Sequence, residues 1–287
     1  MRVVWAYRDY TGHRMDSGRA LCELEAEPLE LAALEASVIS WIKFAPSVTR
    51  VFYADQSVFE ILERHSLLRY FDEVKIVDFD QDLDGKYTRL GMFFAYPKIY
   101  AMTQQEEPFF LCDTDCVLRE NLRNWFTDPT QYYAYYYVDG STRTPEDATE
   151  EELAELAKVA HSSALLRSFC DYSRTINAGL VYYADPKVGQ VIGHLILEAG
   201  LDIQRTIDRD KPESWRLFWT LYEESLLHNL IEFVGRSKVQ EIPLKCFEEF
   251  SEGYRERMHN DNQKVLRDIS NACQSPCILK YHTLLKS

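Results

Sequence analysis

Apolar residues fall along this chain in two alternating rhythms. Short runs rich in β-branched and aromatic side chains occur at "RVVWAY" (2–7), "TRVFYAD" (49–55), "FDEVKIVDF" (71–79) and "PFFLCDTD" (108–115). Each reads as a strand. Between them the apolar spacing changes to three and four, in "EPLELAALEASVISWIKFA" (27–45), "QSVFEILERHSLL" (56–68) and "RLGMFFAYPKIYAMTQQ" (89–105). These read as helices; Pro46 closes the first, and Pro97 is either a break or a first-turn residue of the third. Strands alternating with helices predict an α/β fold, a mostly parallel sheet with helices on both faces. Sites in such sheets form at the carboxyl ends of the strands. The run Phe109, Phe110, Leu111 ends there, on Asp113 and Asp115.

The rhythm then loosens. "YYAYYYVDG" (132–140) and "TINAGLVYYADP" (175–186) predict strands, while "VGQVIGHLILEAGL" (188–201) and "SWRLFWTLYEESLLHNLIEFV" (214–234) predict helices. "TPEDATEEELAELAKVAHSSALLRSF" (144–169) reads as a capped acidic helix followed by a second helical piece. No repeat, low-complexity tract or Pro/Gly linker interrupts residues 1–287, so one domain is expected.

Charge narrows the chemistry. Asp and Glu total 46 against 32 Lys and Arg, a net charge of -14. Such a chain is a poor nucleic-acid binder and repels an anionic membrane surface. An anionic substrate must therefore meet local positive charge or a metal ion. "MRVVWAYRDY" lacks the apolar run of a secretory signal, and no stretch approaches the ~20 apolar residues of a transmembrane helix. The seven cysteines are odd in number and scattered, which predicts reduced thiols and a cytoplasmic location. The spacings Cys112-x3-Cys116 and Cys273-x3-Cys277 come without the His partners of a usual structural zinc site.

Asp113 and Asp115 stand one residue apart. Two such carboxylates repel each other and lose solvation if even partly covered, so either a cation sits between them or both face water. A solvated Asx-rich turn is the plain structural reading. The chemical one is a site for Mg²⁺ or Mn²⁺, hard cations that bridge carboxylates to substrate phosphates.

Three segments carry a resemblance. "FFLCDTDCVLREN" (109–121) resembles the strand–DxD–strand signature of GT-A glycosyltransferases, enzymes that use nucleotide sugars. "INAGLVYY" (176–183) resembles the "FNAGV"-type segment of the glycogenin-like and bacterial lipopolysaccharide-type members, and "ILKYHTLLKS" (278–287) resembles their closing histidine segment. The resemblance implies a GT-A fold, with residues 1–130 as the nucleotide-sugar half and 131–287 as the acceptor side, including a helical segment over about 139–175.

It also implies roles. Asp113, Asp115 and His282 become ligands of Mn²⁺ or Mg²⁺. Thr114, Lys98, Arg89 and Lys286 become donor contacts, the last without the glycine that the family places between His and Lys. Tyr7 and Tyr10, in the loop after the first strand, become candidates for stacking on the nucleotide base. Asn177 is placed against the sugar, and Gly179 lets the backbone approach it or simply packs. Glu224 or Glu223 faces the transferred sugar; consecutive helical residues stand ~100° apart, so only one of the two can point squarely inward. The implied reaction is transfer of a hexose, from a UDP-sugar by family likeness, to a glycan or protein hydroxyl, leaning towards retention. Two other classes stay open: a Mg²⁺-dependent nucleotidyl- or phosphotransferase, against which stands the lack of a P-loop, and a non-catalytic sugar-nucleotide binder on a decayed GT-A fold.

Overall fold

The computed structural model describes residues 1–8, 28–81, 95–136, 168, 176–206, 227–243 and 247–249. Its first half is strand and helix in alternation: β1 (Arg2–Tyr7), α1 (Pro28–Phe44), β2 (Thr49–Ala54), α2 (Gln56–Arg64), β3 (Glu73–Ile76), α3 (Tyr96–Thr103) and β4 (Phe109–Cys112). There follow β5 (Cys116–Leu118), β6 (Tyr132–Tyr136), β7 (Ile176–Tyr183), the long helix α4 (Pro186–Thr206), a helix α5 over 227–235, β8 (Val239–Glu241) and β9 (Phe247–Glu249).

Among the described residues, seven strands form one sheet in the order β3-β2-β1-β4-β7-β6-β8. β1 runs parallel to β2 and β4, β2 parallel to β3, and β6 parallel to β8, whereas β7 runs antiparallel to both β4 and β6. This is the mixed, mostly parallel sheet with flanking helices that the sequence pattern and the GT-A resemblance led us to expect. The order also explains why β1 and β4 are apolar throughout their centres. Both are interior strands covered on both faces, and such strands lose the alternation of half-exposed ones.

Side chains still alternate between two cores. Val4, Phe109, Leu111, Val181 and Tyr183 point to one face, where α3 and α4 close over them with Ile99, Met102, Ile192 and Ile196. Val3, Trp5, Phe110, Cys112 and Tyr182 point to the other, beneath Leu34, Val38 and Trp41 of α1 and Val58 and Leu62 of α2. Local signals set the helix ends. Pro28 opens α1, a position where its missing N–H costs nothing. Asp55 caps α2, its carboxylate accepting from the Val58 N–H at 2.8 Å.

The structure settles the role of Pro97, which stands in the first turn of α3. It shortens other expectations. The third strand covers Glu73–Ile76, preceded by a 3-10 turn at Leu68–Tyr70 where the second helix was expected to end. Of the acidic segment 144–169 only residue 168 lies within the described residues, and of the helix expected over 214–234 the described part is 227–235.

The contact between α3 and α4 fixes the placement of α3. Gly193 makes it close: a methyl there would stand 2.6 Å from Thr103 Cγ2 and 3.4 Å from the Ile99 carbonyl. Thr103 cannot swing aside cheaply, because its Oγ1 donates to the Tyr100 carbonyl at 2.7 Å. Gly193→Ala is therefore expected to lower stability. Overpacking costs about 1–3 kcal/mol and outweighs the roughly 1 kcal/mol that alanine gains in a helix. Thermal denaturation checks the sign, and a rise in Tm would contradict this packing.

Candidate active site

In a crossover between parallel strands the helix runs back against them, so its first turn lies at the carboxyl edge of the sheet. The first turns of α2 and α3 and the carboxyl ends of β1 and β4 therefore meet along one rim. Asp113 is the first residue beyond β4. Its N–H donates to the Gly179 carbonyl at 2.7 Å, one rung past the last pair of the β4–β7 ladder, Cys112 with Leu180. The chain then turns at once, the Cys116 N–H reaching back to the Asp113 carbonyl at 3.3 Å. β5 leaves the main sheet and pairs antiparallel with β9. The Asp113-Thr114-Asp115 turn thus sits at the junction of two sheets, and all three side chains are half-buried.

A cation stands beside Asp113: Lys98. It lies in the first turn of α3, it is buried, and its Nζ donates to Asp113 Oδ1 at 2.6 Å. Asp113 keeps 32% of its side chain accessible, so the pair lies at the rim rather than in the core. Lys98 and Asp113 are 15 residues apart in sequence, brought together by the α3–β4 connection.

A second buried cation stands on the same rim. Arg8, directly after β1, is 6% exposed and donates to Asp80 Oδ1 at 2.8 Å. Asp80 belongs to a turn beyond β3, where its N–H bonds Asp78 Oδ1 at 3.0 Å. The sequence reading missed Arg8. The same rule that selected Asp113, a charge placed immediately after a buried strand, would have found it.

The two thiols beside the turn are buried and turned inward. Cys112 Sγ donates to the Asp113 carbonyl at 3.4 Å and Cys116 Sγ to the Gly179 carbonyl at 3.2 Å. They brace the turn. Gly179 is buried, and its carbonyl takes both the Asp113 N–H and the Cys116 thiol. This carbonyl puts the "INAGL" segment directly behind the carboxylates. Asn177 lies two residues before Gly179 on β7 and pairs by backbone with Tyr135.

α1 supplies a further brace that the sequence reading did not find. Ser37 Oγ accepts from Trp5 Nε1 at 3.1 Å and donates to the Cys116 carbonyl at 2.6 Å. Ser40 Oγ donates to the Ser37 carbonyl at 2.6 Å and accepts from the Leu118 N–H at 2.9 Å. Two serines three residues apart within the apolar run over 36–42 were the available signal.

Tyr7 is half-buried at the carboxyl end of β1 and packs partly against the α1-side core. Tyr10, Arg89, Glu223, Glu224, His282 and Lys286 lie outside the described residues. The aromatic residues around Trp125 and β6 are core where they are described. Trp125, Tyr132 and Tyr133 are all less than 9% exposed, and Phe110, Phe126 and Tyr182 pack around Tyr133 and Trp125. Burial there pushes the Tyr182 phenol up to about 12.

The donor set at the turn suits a hard divalent cation: two carboxylates and a hydroxyl, half-buried, with the flanking Cys112 and Cys116 thiols turned inward. Among the described residues no third His, Cys, Asp or Glu joins them in a metal-holding group. The expected third ligand, His282, lies beyond those residues.

No protein-family model matches this sequence. No curated protein matches it either. Among solved structures it is similar to a galactosyltransferase, LgtC, in complex with donor and acceptor sugar analogues, at 13% identity and a TM-score of 0.38, over 76% of this chain and 70% of that one. It is similar to mouse xyloside xylosyltransferase 1 at 10% identity and a TM-score of 0.38, over 84% of each chain. It is similar also to the glycosyltransferase GlyE of Streptococcus pneumoniae at 10% identity and a TM-score of 0.46, over 93% of this chain and about half, 51%, of that one.

Proposed function

We propose that this chain is a metal-dependent glycosyltransferase that moves a hexose from a nucleotide sugar, UDP-linked by the resemblance, to a hydroxyl of a glycan or protein. The observation that carries the reading is the Asp113-Thr114-Asp115 turn. It is pinned by Gly179 at the carboxyl edge of the sheet and paired with a buried lysine. A plain solvated turn has no need of either device.

In this reading Asp113, Asp115 and His282 hold Mn²⁺ or Mg²⁺, which when bound offsets charge on the departing nucleoside diphosphate. The chain's own residues do the rest. Lys98 and Arg8 are buried cations on the same rim in a protein of net charge -14. They add fixed positive charge for phosphate oxygens, with Arg89 and Lys286 as further candidates. Tyr7 and Tyr10 hold the base. Glu224, or its neighbour Glu223, meets the sugar near the anomeric carbon. If the reaction inverts, it takes the proton from the acceptor hydroxyl; if the reaction retains, it steadies positive charge developing on the sugar. Asn177 hydrogen-bonds sugar hydroxyls. Among the described residues no helix is long and apolar enough to cross a membrane. The reading places the enzyme in the cytoplasm, on the strength of its cysteine usage.

Donor hydrolysis tests this directly. The purified protein is incubated with UDP-, GDP- and CMP-sugars, with Mn²⁺ or with a chelator, and released nucleotide is quantified. Slow release from one donor that stops with the chelator and returns with Mn²⁺ is the expected result. No release from any donor, together with no metal-dependent binding of UDP, overturns the proposal in favour of a non-catalytic protein.

A further inference from the structure

We propose that Lys98 makes divalent-cation binding conditional on the donor, by holding Asp113 until a diphosphate draws its ammonium away. The inference deepens the function proposed above and rests on it. It concerns the order in which the site is assembled rather than the reaction.

Lys98 is 7% exposed, and a buried ammonium needs an anion. Asp113 Oδ1 meets that need at 2.6 Å. The same carboxylate is one of the two that the turn offers to a cation. A metal ion approaching Asp113 therefore meets a carboxylate whose charge the ammonium already offsets. It must also approach an ammonium that is in hydrogen-bond contact with one of its ligands. Like charges a few ångströms apart in a partly covered site repel strongly. On its own, then, the turn holds a divalent ion weakly.

A nucleoside diphosphate changes the balance. It brings phosphate oxygens that can replace Asp113 as the partner of Lys98. The exchange needs little motion of the backbone. The lysine head rides on a flexible four-carbon stem, whereas α3 itself is held by Pro97 in its first turn and by the close contact with Gly193. Once the ammonium bonds phosphate, both Asp113 oxygens become available to the metal, and the metal in turn holds the phosphate. Each ligand strengthens the other by the same factor, as linkage requires. Part of that factor comes from direct metal–phosphate contact, which any such site has. The part assigned here to Lys98 is the weakness of the metal alone.

Mn²⁺ titration followed by electron paramagnetic resonance reads this without turnover, since free aqueous Mn²⁺ gives the signal. In wild type, Mn²⁺ alone is expected to bind weakly, and saturating UDP to tighten it by well over tenfold. In Lys98→Met, Mn²⁺ alone is expected to bind roughly tenfold tighter than in wild type, from loss of the repelling charge. The tightening by UDP is then expected to shrink by a similar factor, while UDP itself binds less well. Lys98→Arg, which keeps the charge, should restore weak binding of the metal alone. Circular dichroism establishes that the variants are folded, and Lys98→Gln takes the place of Lys98→Met if the latter is not. Mn²⁺ affinity in Lys98→Met equal to or below that of wild type, with UDP still tightening it, overturns the exchange and leaves the transferase reading standing. No Mn²⁺ binding to either protein, with or without UDP, overturns the metal-dependent reading and this inference with it.

Discussion

Asp115→Ala is expected to reduce metal-dependent release of nucleotide from the donor by about a thousandfold or more while leaving the melting temperature within about 2 °C of wild type. The two halves of that statement come from different observations. Asp115 is half-buried in the turn beyond β4, at the carboxyl edge where β5 departs from the main sheet. Its carboxylate is one of the hard oxygen donors of the turn, and the residue lies between β4 and β5 rather than within a strand. Asp113 is different. It carries the Lys98 ammonium, so Asp113→Asn is expected to lose activity and stability together. Leaving a buried charge without its partner costs about 1–3 kcal/mol when, as here, the site lies at the rim rather than deep in the core. Donor hydrolysis and thermal denaturation on both variants separate the two roles. Full activity in Asp115→Ala ends the metal proposal; equal melting temperatures for the two variants would show that the ion pair contributes nothing to the fold.

Much of this architecture is legible in the sequence, and for an identifiable reason. The elements that pattern shows most plainly are those whose burial is one-sided or complete over at least four residues. The interior strands β1, β2 and β4 and the helices α1, α2 and α4 all meet that condition. β8 and β9 do not. Each has three residues, β8 is mostly exposed at the sheet edge, and neither is long enough to show a period. Pro97 illustrates the opposite limit. Its chemistry allowed a break or a first turn, and only tertiary placement, with Lys98 following it onto the rim, decides between them.

The site is legible in the same uneven way. Asp113 and Asp115 stand out because adjacent charges at the end of a buried strand violate the pattern around them, and the need for a cation beside them follows from elementary electrostatics. Lys98 was selected from the sequence for a diphosphate. The structure gives it a protein partner instead, the very carboxylate whose charge needed an answer. Sequence could not pair them, because the distance that matters is across the rim and not along the chain. Arg8 and the α1 serines were overlooked for a related reason. Their partners, Asp80, Cys116 and Leu118, are between 72 and 79 positions away.

Those serines carry the second large effect. Ser37→Ala is expected to lower stability by about 2–4 kcal/mol, because it removes the acceptor of Trp5 Nε1 and the donor to the Cys116 carbonyl in one step. Both groups are buried, and Trp5 and Ser37 are fully so. Each lost partner costs roughly 1–2 kcal/mol here, and for a chain of this size the sum corresponds to a fall of about 3–7 °C in Tm. The consequence extends to the site. β5 pairs with β9 and otherwise meets α1 through Ser37 and Ser40, so these hydroxyls hold the strand that follows Asp115. Ser40→Ala removes the acceptor of the Leu118 N–H and the donor to the Ser37 carbonyl, and should cost less, since a carbonyl inside α1 keeps its helical hydrogen bond. Because both serines hold one strand, the double variant should fall short of the sum of the single losses, the coupling expected of groups that share a partner. Donor turnover should drop in both single variants even at temperatures where they are folded, with the larger drop in Ser37→Ala. Strict additivity in denaturant unfolding, or unchanged turnover in folded Ser37→Ala, would mean that β5 is held by its pairing with β9 and that α1 merely covers it.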